Sequence, residues 1–216
     1  VLDRFLRPAI DPPLSAAARA LARRGVTALA VTLAGLAAGL AAGVAAALGA
    51  FGLALALFAL SRLADGLDGA VARLAAPRGT ALGGHIDILT DFAVYAALPL
   101  GFVLHDPAGN GGAGAFLLAA YYVNGASFLG AAILAERAGR LSEVNGAKAL
   151  HHEPGLLEGT ETILFCAAIC LVPGAFVPLA WGFGALCLLT AGLRTRSLAL
   201  AEAQRTGATG SSRSTQ

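Results

Sequence analysis

Apolar residues gather in six stretches, at 26–46, 51–75, 83–103, 114–134, 156–172 and 176–193, with short polar or glycine- and proline-rich breaks between them. A helix needs about 20 mostly apolar residues to cross the hydrocarbon core of a bilayer. Each stretch is near that length, so the pattern predicts an all-α integral membrane protein with six transmembrane helices. The second and fifth stretches carry ionisable residues at one end, which brings them near the limit of what hydropathy alone detects. The breaks around Gly49, at 106–113 and at 173–175 have the composition of turns.

The basic residues orient these helices. Arg4, Arg7, Arg19, Arg23 and Arg24 precede the first stretch, and Arg73 and Arg78 mark the second connection. Arg137, Arg140 and Lys148 lie in the fourth, and Arg194, Arg196, Arg205 and Arg213 follow the last stretch. The first, third and fifth connections hold no Lys or Arg. Positive charge favours cytoplasmic loops, so both termini are expected in the cytoplasm, and an even helix count keeps the bias consistent.

The flanks complete the division. Residues 1–24 lack the apolar core of a cleavable signal peptide. Pro12 and Pro13 should stop any earlier helix, while Ser15 is placed to cap a short amphipathic one through Arg24. That juxtamembrane segment is expected to lie along the membrane surface, its arginines near anionic headgroups. Residues 25–196 form the membrane domain. Residues 197–216 form a cytoplasmic tail, expected to be disordered from about Thr206, where Gly, Ser, Thr and Ala prevail. The run 34–48 contains only Ala, Gly, Leu and Val and reads as close helix packing by small residues.

Composition narrows the function. Of the residues, 57% are hydrophobic and 13% charged, against about 25% charged in an ordinary soluble domain. A net charge of +2 with no basic stripe excludes a nucleic-acid binder. Three cysteines, none in C-x-x-C spacing, exclude a disulfide scaffold, and Cys166, Cys170 and Cys187 read as membrane packing.

Against this background the acidic residues stand out. Asp65, Asp68, Asp87 and Asp91 fall on the inner halves of the second and third helices. Carboxylates inside a membrane are costly and mark a functional site by default. At 100° per residue, Asp65, Asp68, Gly69 and Ala72 share one face with Arg73 at its edge, and Gly83, Asp87 and Asp91 share another. A lone aspartate is sometimes a packing residue, but this set with an arginine and small neighbours is not explained that way. The spacing is helical, which excludes an EF-hand loop. Converging carboxylates repel unless a divalent cation, or a pair, lies between them. Hard oxygen ligands beside an arginine suit Mg²⁺ or Mn²⁺ holding a phosphate.

These residues resemble a known signature. Asp65-Gly-Leu-Asp68-Gly69-Ala-Val-Ala72-Arg73, then nine residues, then Gly83-Gly-His-Ile-Asp87-Ile-Leu-Thr-Asp91 resembles D-x-x-D-G-x-x-A-R-x(8–9)-G-x-x-x-D-x-x-x-D at every fixed position. That is the signature of the CDP-alcohol phosphatidyltransferase family (class I), and the six-helix layout extends the resemblance over nearly the whole chain. Gly155-Leu-Leu-Glu158-Gly159-Thr160-Glu161-Thr162 looks like the start of the fifth helix in a bacterial inner-membrane branch of that family. One departure is visible: many members open the first helix with Pro-Asn, where this chain reads Gly25-Val-Thr27-Ala-Leu-Ala-Val-Thr32.

The resemblance implies a multi-pass enzyme of phospholipid biosynthesis in the cytoplasmic membrane, homodimeric, with its site facing the cytoplasm. A CDP-linked lipid, CDP-diacylglycerol, donates its phosphatidyl group to the hydroxyl of a small polar alcohol or alcohol phosphate, and CMP leaves. Asp65, Asp68 and Asp87 are then metal ligands for two Mg²⁺ or Mn²⁺ ions. Asp91 touches a metal as well and acts as general base toward the acceptor. Asp65, Gly69, Ala72, Arg73 and Gly83 form the donor site: the small residues leave room for the nucleotide, Arg73 bonds phosphate, and Gly83 lets its helix come close.

Acceptor choice is less legible. Lys148 with Arg137 or Arg140 would suit a phosphorylated acceptor, while Glu158 and Glu161 would suit an amine or sugar hydroxyls. Each also has a plain reading, the basic residues in the positive-inside bias and the acids at a helix N-terminus. His151 and His152 read as solvated loop residues, and Arg62 and His85 lie near the same mouth. Two other functions compete. An intramembrane Mg-dependent prenyltransferase also binds metal-diphosphate through aspartates, but leaves Gly69, Ala72 and Arg73 as coincidences. An ion or proton transporter would spread its acids through both halves of the membrane, whereas here they gather toward one side.

Overall fold

The computed structural model describes residues 3–76, 79–137 and 159–211, and these form helices joined by turns, with no strand among them. In chain order the helices are α1 (Asp3–Arg23), α2 (Ala28–Ala47), α3 (Phe51–Ala75), α4 (Ala81–His105), α5 (Pro107–Arg137), α6 (Gly159–Leu171) and α7 (Phe176–Ser211). A 3-10 turn at Pro173–Ala175 leads into α7. Among the described residues four segments, Ala28–Ala47, Ala81–His105, Pro107–Glu136 and Pro173–Ala203, are long and apolar enough to cross a membrane. The other two expected spans are α3, which has 25 residues but carries Arg62, Asp65, Asp68 and Arg73, and α6, an apolar helix of 13 residues.

Local chemistry sets the helix ends. Thr27 caps α2, its Oγ1 accepting from the Ala30 N–H at 3.2 Å. Gly49, at φ +77°, ends α2 in a left-handed turn. There Gly49 N–H bonds the Ala46 carbonyl at 3.0 Å and Ala50 N–H the Ala45 carbonyl at 2.9 Å, the paired bonds of a glycine-terminated helix.

Three expectations about boundaries change. α1 is continuous from Asp3 and passes Pro8, Pro12 and Pro13; the prolines leave carbonyls without helical donors but do not break it. α5 starts at Pro107 rather than near 114, because Asp106 supplies an N-cap. Its Oδ1 accepts from Gly109 N–H at 3.0 Å, and Pro107 suits the first helical position. α7 continues to Ser211, past Thr206 where composition predicts disorder. The helix formers at 198–204 carry it out of the apolar stretch.

The described residues fall into two compact units. The first holds α1 to α4, the start of α5 through Ala115, α6 and the start of α7 through Ala180. Within it α2 packs against both α3 and α4 through a glycine stripe. Gly35 abuts Ala64 of α3, Gly39 abuts Val94 of α4 and Ser61 of α3, and Gly43 abuts the Ala97 carbonyl of α4. Packing of small residues is thus the role of this run. α1 is seated on α3 by Ala18, Ala70 and Val71, with Leu14, Leu21 and Leu67 around them. Away from the aspartates, Phe51, Phe102 and Phe176 stack in sequence at 4.9 and 5.0 Å between ring centroids.

A methyl group on Gly43 would lie 2.6 Å from the Ala97 carbonyl oxygen, whereas one on Gly52 meets nothing within 4 Å. Gly43→Ala is therefore expected to destabilise the protein by about 1–3 kcal/mol, as overpacking does. Gly52→Ala should leave stability within about 0.5 kcal/mol. Denaturation midpoints of the two variants in one detergent test the pair.

The second unit holds α5 from Phe116 and α7 from Trp181. Phe116 stacks on Trp181 at 4.3 Å, and Gly184 leaves room for the Phe116 ring. Arg194 is 7% exposed and its Nη1 donates to Asn124 Oδ1 and Ser127 Oγ, each at 3.2 Å. By sequence Arg194 belongs with the basic tail; the structure buries it inside α7.

Candidate metal and donor site

Two helices carry the aspartates on either side of the connection at 76–80. Thr80 starts α4, its Oγ1 accepting from Gly83 N–H at 3.0 Å. From that start Asp87 and Asp91 fall one turn apart, as Asp65 and Asp68 nearly do late in α3. One carboxylate oxygen from each of Asp65, Asp68 and Asp87 lies within 4.8 Å of the others. Asp68 is buried, Asp65 half-buried and Asp87 exposed. The group is therefore graded from the protein interior to its surface. A small cavity lined by Thr32, Arg62, Asp65, Asp68 and Thr90 adjoins it.

The neighbours fix these carboxylates. Thr32 of α2 donates from Oγ1 to Asp68 Oδ2 at 2.5 Å, and the Ala28 carbonyl, 3.0 Å from the same Oγ1, is the competing acceptor for its single proton. Arg62 of α3 donates from Nη1 to Asp91 Oδ1 at 2.5 Å, and the same nitrogen lies 3.8 Å from Asp65 Oδ2. Asp91 is expected among the metal ligands, yet it stands outside the group of three with its carboxylate on Arg62. Sequence reading missed both bonds, because each joins residues far apart in the chain. Thr32 lies in the stretch that departs from Pro-Asn, and its polarity inside an apolar run is the only signal it offers.

The donor residues follow on α3 and α4. Gly69 and Ala72 are half-buried and Arg73 is exposed in the last turn of α3. A methyl on Gly69 would sit 3.3 Å from Arg73 Nη1, so glycine leaves that guanidinium its place. Gly83 is exposed, and among the described residues a methyl there would meet only Thr80 Oγ1 within 4 Å. Its visible role is in the cap rather than in close approach of another helix. Of the acceptor candidates, Glu161 is half-buried in the first turn of α6 and Arg137 ends α5. Arg140, Lys148 and Glu158 lie outside the described residues.

Three carboxylates this close, one of them buried, repel strongly where the dielectric is low. A hard divalent cation with oxygen ligands relieves that repulsion, so the donor set fits Mg²⁺ or Mn²⁺. The model of the CDP-alcohol phosphatidyltransferase family matches residues 26–193. The chain belongs to this family. Membership of this family, rather than of a prenyltransferase or transporter family, sets aside the prenyltransferase and ion-transporter readings.

Among proteins similar to it, the inner membrane protein YnjF of Escherichia coli (strain K12) is 43% identical over 190 residues, covering 88% of this chain and 91% of YnjF. The fold is shared with phosphatidylinositol phosphate synthase (PgsA1) of Mycobacterium tuberculosis. The structure of PgsA1 with CDP-DAG bound aligns at a TM-score of 0.60 and 22% identity, over 85% of this chain and 92% of that one. PgsA1 in complex with manganese and citrate aligns at 0.62 and 21% identity, over 85% and 87%. The signature aspartates of this chain sit on consecutive helices, α3 and α4.

Proposed function

We propose that the protein transfers a phosphatidyl group from CDP-diacylglycerol to the hydroxyl of a small polar alcohol or alcohol phosphate, releasing CMP. The observation that carries this reading is the convergence of Asp65, Asp68 and Asp87 within 4.8 Å in a chain of this family. The solved fold neighbour's complexes with CDP-DAG and with manganese support the donor and the metal.

In this reading Asp65, Asp68 and Asp87 hold two Mg²⁺ or Mn²⁺ ions, with Asp91 beside them. Bound there, the ions neutralise the diphosphate and the charge that develops on departing CMP. The rest is the work of side chains. Thr32 holds Asp68 in place, and Arg73 bonds phosphate oxygens in pairs. Asp91 takes the proton of the acceptor hydroxyl as its oxygen bonds phosphorus and the phosphorus–oxygen bond to CMP breaks. Gly69 and Ala72 leave the nucleotide space along α3. Lys148 with Arg137 or Arg140 receives a phosphorylated acceptor, or Glu158 and Glu161 receive an amine or sugar.

The protein is read as a homodimer of the inner membrane with six spans, α3 and α6 crossing beside the four apolar helices. The positive-inside bias puts both termini and the site in the cytoplasm. Such a site takes its donor from lipid and its alcohol from water.

The test is incubation of purified protein with Mg²⁺, CDP-diacylglycerol and a panel of alcohols and alcohol phosphates. Acceptor-dependent release of CMP is expected. Release of inorganic diphosphate from a prenyl donor, with no CMP from any acceptor, would overturn the reading. Ala72→Leu is expected to raise the donor dissociation constant by about tenfold or more, since each buried methylene that must be displaced costs on the order of 1 kcal/mol. Titration of a CDP-lipid against both proteins measures it, and unchanged affinity would mean that the Ala72 face points elsewhere.

A further inference from the structure

The cavity that adjoins the acidic group has a volume of about 10 Å³. Its polar side is formed by Ser61, Arg62, Asp65, Asp68 and Thr90, and Val94 stands on its apolar side. The hydrogen-bonding capacity around it is unevenly spent. Arg62 Nη1 donates to Asp91 Oδ1 at 2.5 Å and to Tyr95 Oη at 3.3 Å, and it lies 3.8 Å from Asp65 Oδ2. Nη2 donates to Ser61 Oγ at 3.2 Å. The Tyr95 and Phe58 rings, 5.0 and 5.8 Å from the guanidinium carbon, pack beside the group. Arg62 Nε is buried and makes no hydrogen bond among the described residues. Ser61 is 0% exposed, and its Oγ accepts from Arg62 while its own proton has no acceptor among the described residues. Thr90 Oγ1 spends its proton on the Asp87 carbonyl at 3.0 Å and keeps its lone pairs. Two donors without acceptors and several acceptors with capacity to spare thus line one small space. Buried polar groups are normally paired, with protein or with ordered water.

We propose that this cavity is a binding site for one resident water, which accepts from Arg62 Nε and Ser61 Oγ and donates to Thr90 Oγ1 and to a carboxylate oxygen of Asp65 or Asp68. The inventory of donors and acceptors selects the ligand. A metal or ammonium ion would be met by a guanidinium and a second donor. Chloride or phosphate would be met by two carboxylates. Water both accepts and donates, and it carries no charge to oppose either group. The size agrees, since one water needs about 10–15 Å³ and two to four polar partners. Arg62 then reaches the acidic group along two edges: Nη1 directly, and Nε through the water. The site requires neither a bound metal nor the reaction proposed above, and its test reads no activity.

The experiment is X-ray hydroxyl-radical footprinting of the full chain in detergent, without divalent cation or substrate, read by mass spectrometry. Radicals formed from a bound water oxidise the side chains beside it. Val94 lines the cavity and is 0% exposed, so bulk solvent does not reach it. Leu98 and Phe102 are as deeply buried on the same helix but lie outside the lining. Val94 is expected to be oxidised about tenfold or more above either of them, because only Val94 has a buried water as neighbour. Val94 as silent as Leu98 and Phe102 overturns the proposal. Oxidation of all three to a similar extent overturns it as well, since that is general entry of solvent. Ser61→Ala removes one of the two donors and is expected to lower Val94 oxidation about threefold or more, as loss of a buried partner does. Unchanged oxidation in that variant would refute the assigned partners.

A structure that resolves solvent, determined on the wild-type protein without divalent cation, decides the matter even if Ser61→Ala fails to fold. A peak about 3 Å from both Arg62 Nε and Ser61 Oγ is expected, the distance of a hydrogen bond. A peak about 2.0–2.6 Å from the carboxylates is a cation instead, and that result, or a dry cavity, overturns the proposal.

Discussion

Asp65→Asn is expected to abolish Mg²⁺-supported CMP release and to lose most divalent-cation affinity while the helices remain folded. Asp65 supplies one of the three oxygens that converge within 4.8 Å. An amide there keeps the shape but removes a full negative charge and the better ligand. The same model predicts that EDTA stops turnover completely and that added Mg²⁺ or Mn²⁺ restores it. Calorimetry of Mg²⁺ against wild type and variant separates ligand loss from damage elsewhere. Full activity in chelator, or unchanged cation affinity in Asp65→Asn, would refute the assignment of these carboxylates. The protein should tolerate the change, because Asp65 is half-buried and its removal relieves repulsion with its neighbours.

Asp91→Asn should behave differently. Its carboxylate is bonded to Arg62 and lies outside the group of three. Asparagine can still accept from Arg62 through its amide oxygen, so the local structure is kept, but it cannot take a proton from the acceptor. Loss of a general base costs roughly 10²–10⁴-fold in rate, and that is the expected fall in kcat. The donor dissociation constant, measured in the same variant, should stay within about threefold. A collapse of donor affinity in parallel with rate would make Asp91 principally a ligand, and the base would have to be sought at His85, Glu158 or water.

The contrast between these two aspartates shows where sequence reading reaches its limit. Asp87 and Asp91 are four residues apart on one helix face, so helical periodicity treats them alike. What separates them is Arg62, reaching from another helix. Thr32 and Asp68 are a second instance, bonded across 36 positions of chain. Neither contact leaves a periodic trace, because each depends on how α2, α3 and α4 pack. The proline-containing α1 and the early start of α5 were hidden for a different reason. There the outcome turned on local competition between helix breakers, caps and propagation, whose energies are of similar size.

The sequence by itself determined the membrane class, the helical character, the family and the aspartates of interest. Hydrophobic length, the spacing of the signature and the distribution of arginines are properties of the chain in order, and helical periodicity converts them directly into faces. The tertiary structure decided which carboxylates meet and which are held elsewhere. Glycines at 35, 39 and 43 let α2 pack closely against α3 and α4, which puts Thr32 on Asp68. The guanidinium of Arg62, packed beside two rings, is directed at Asp91. Metal-binding geometry is a matter of a few ångströms between side chains on different helices, and only packing sets distances of that kind.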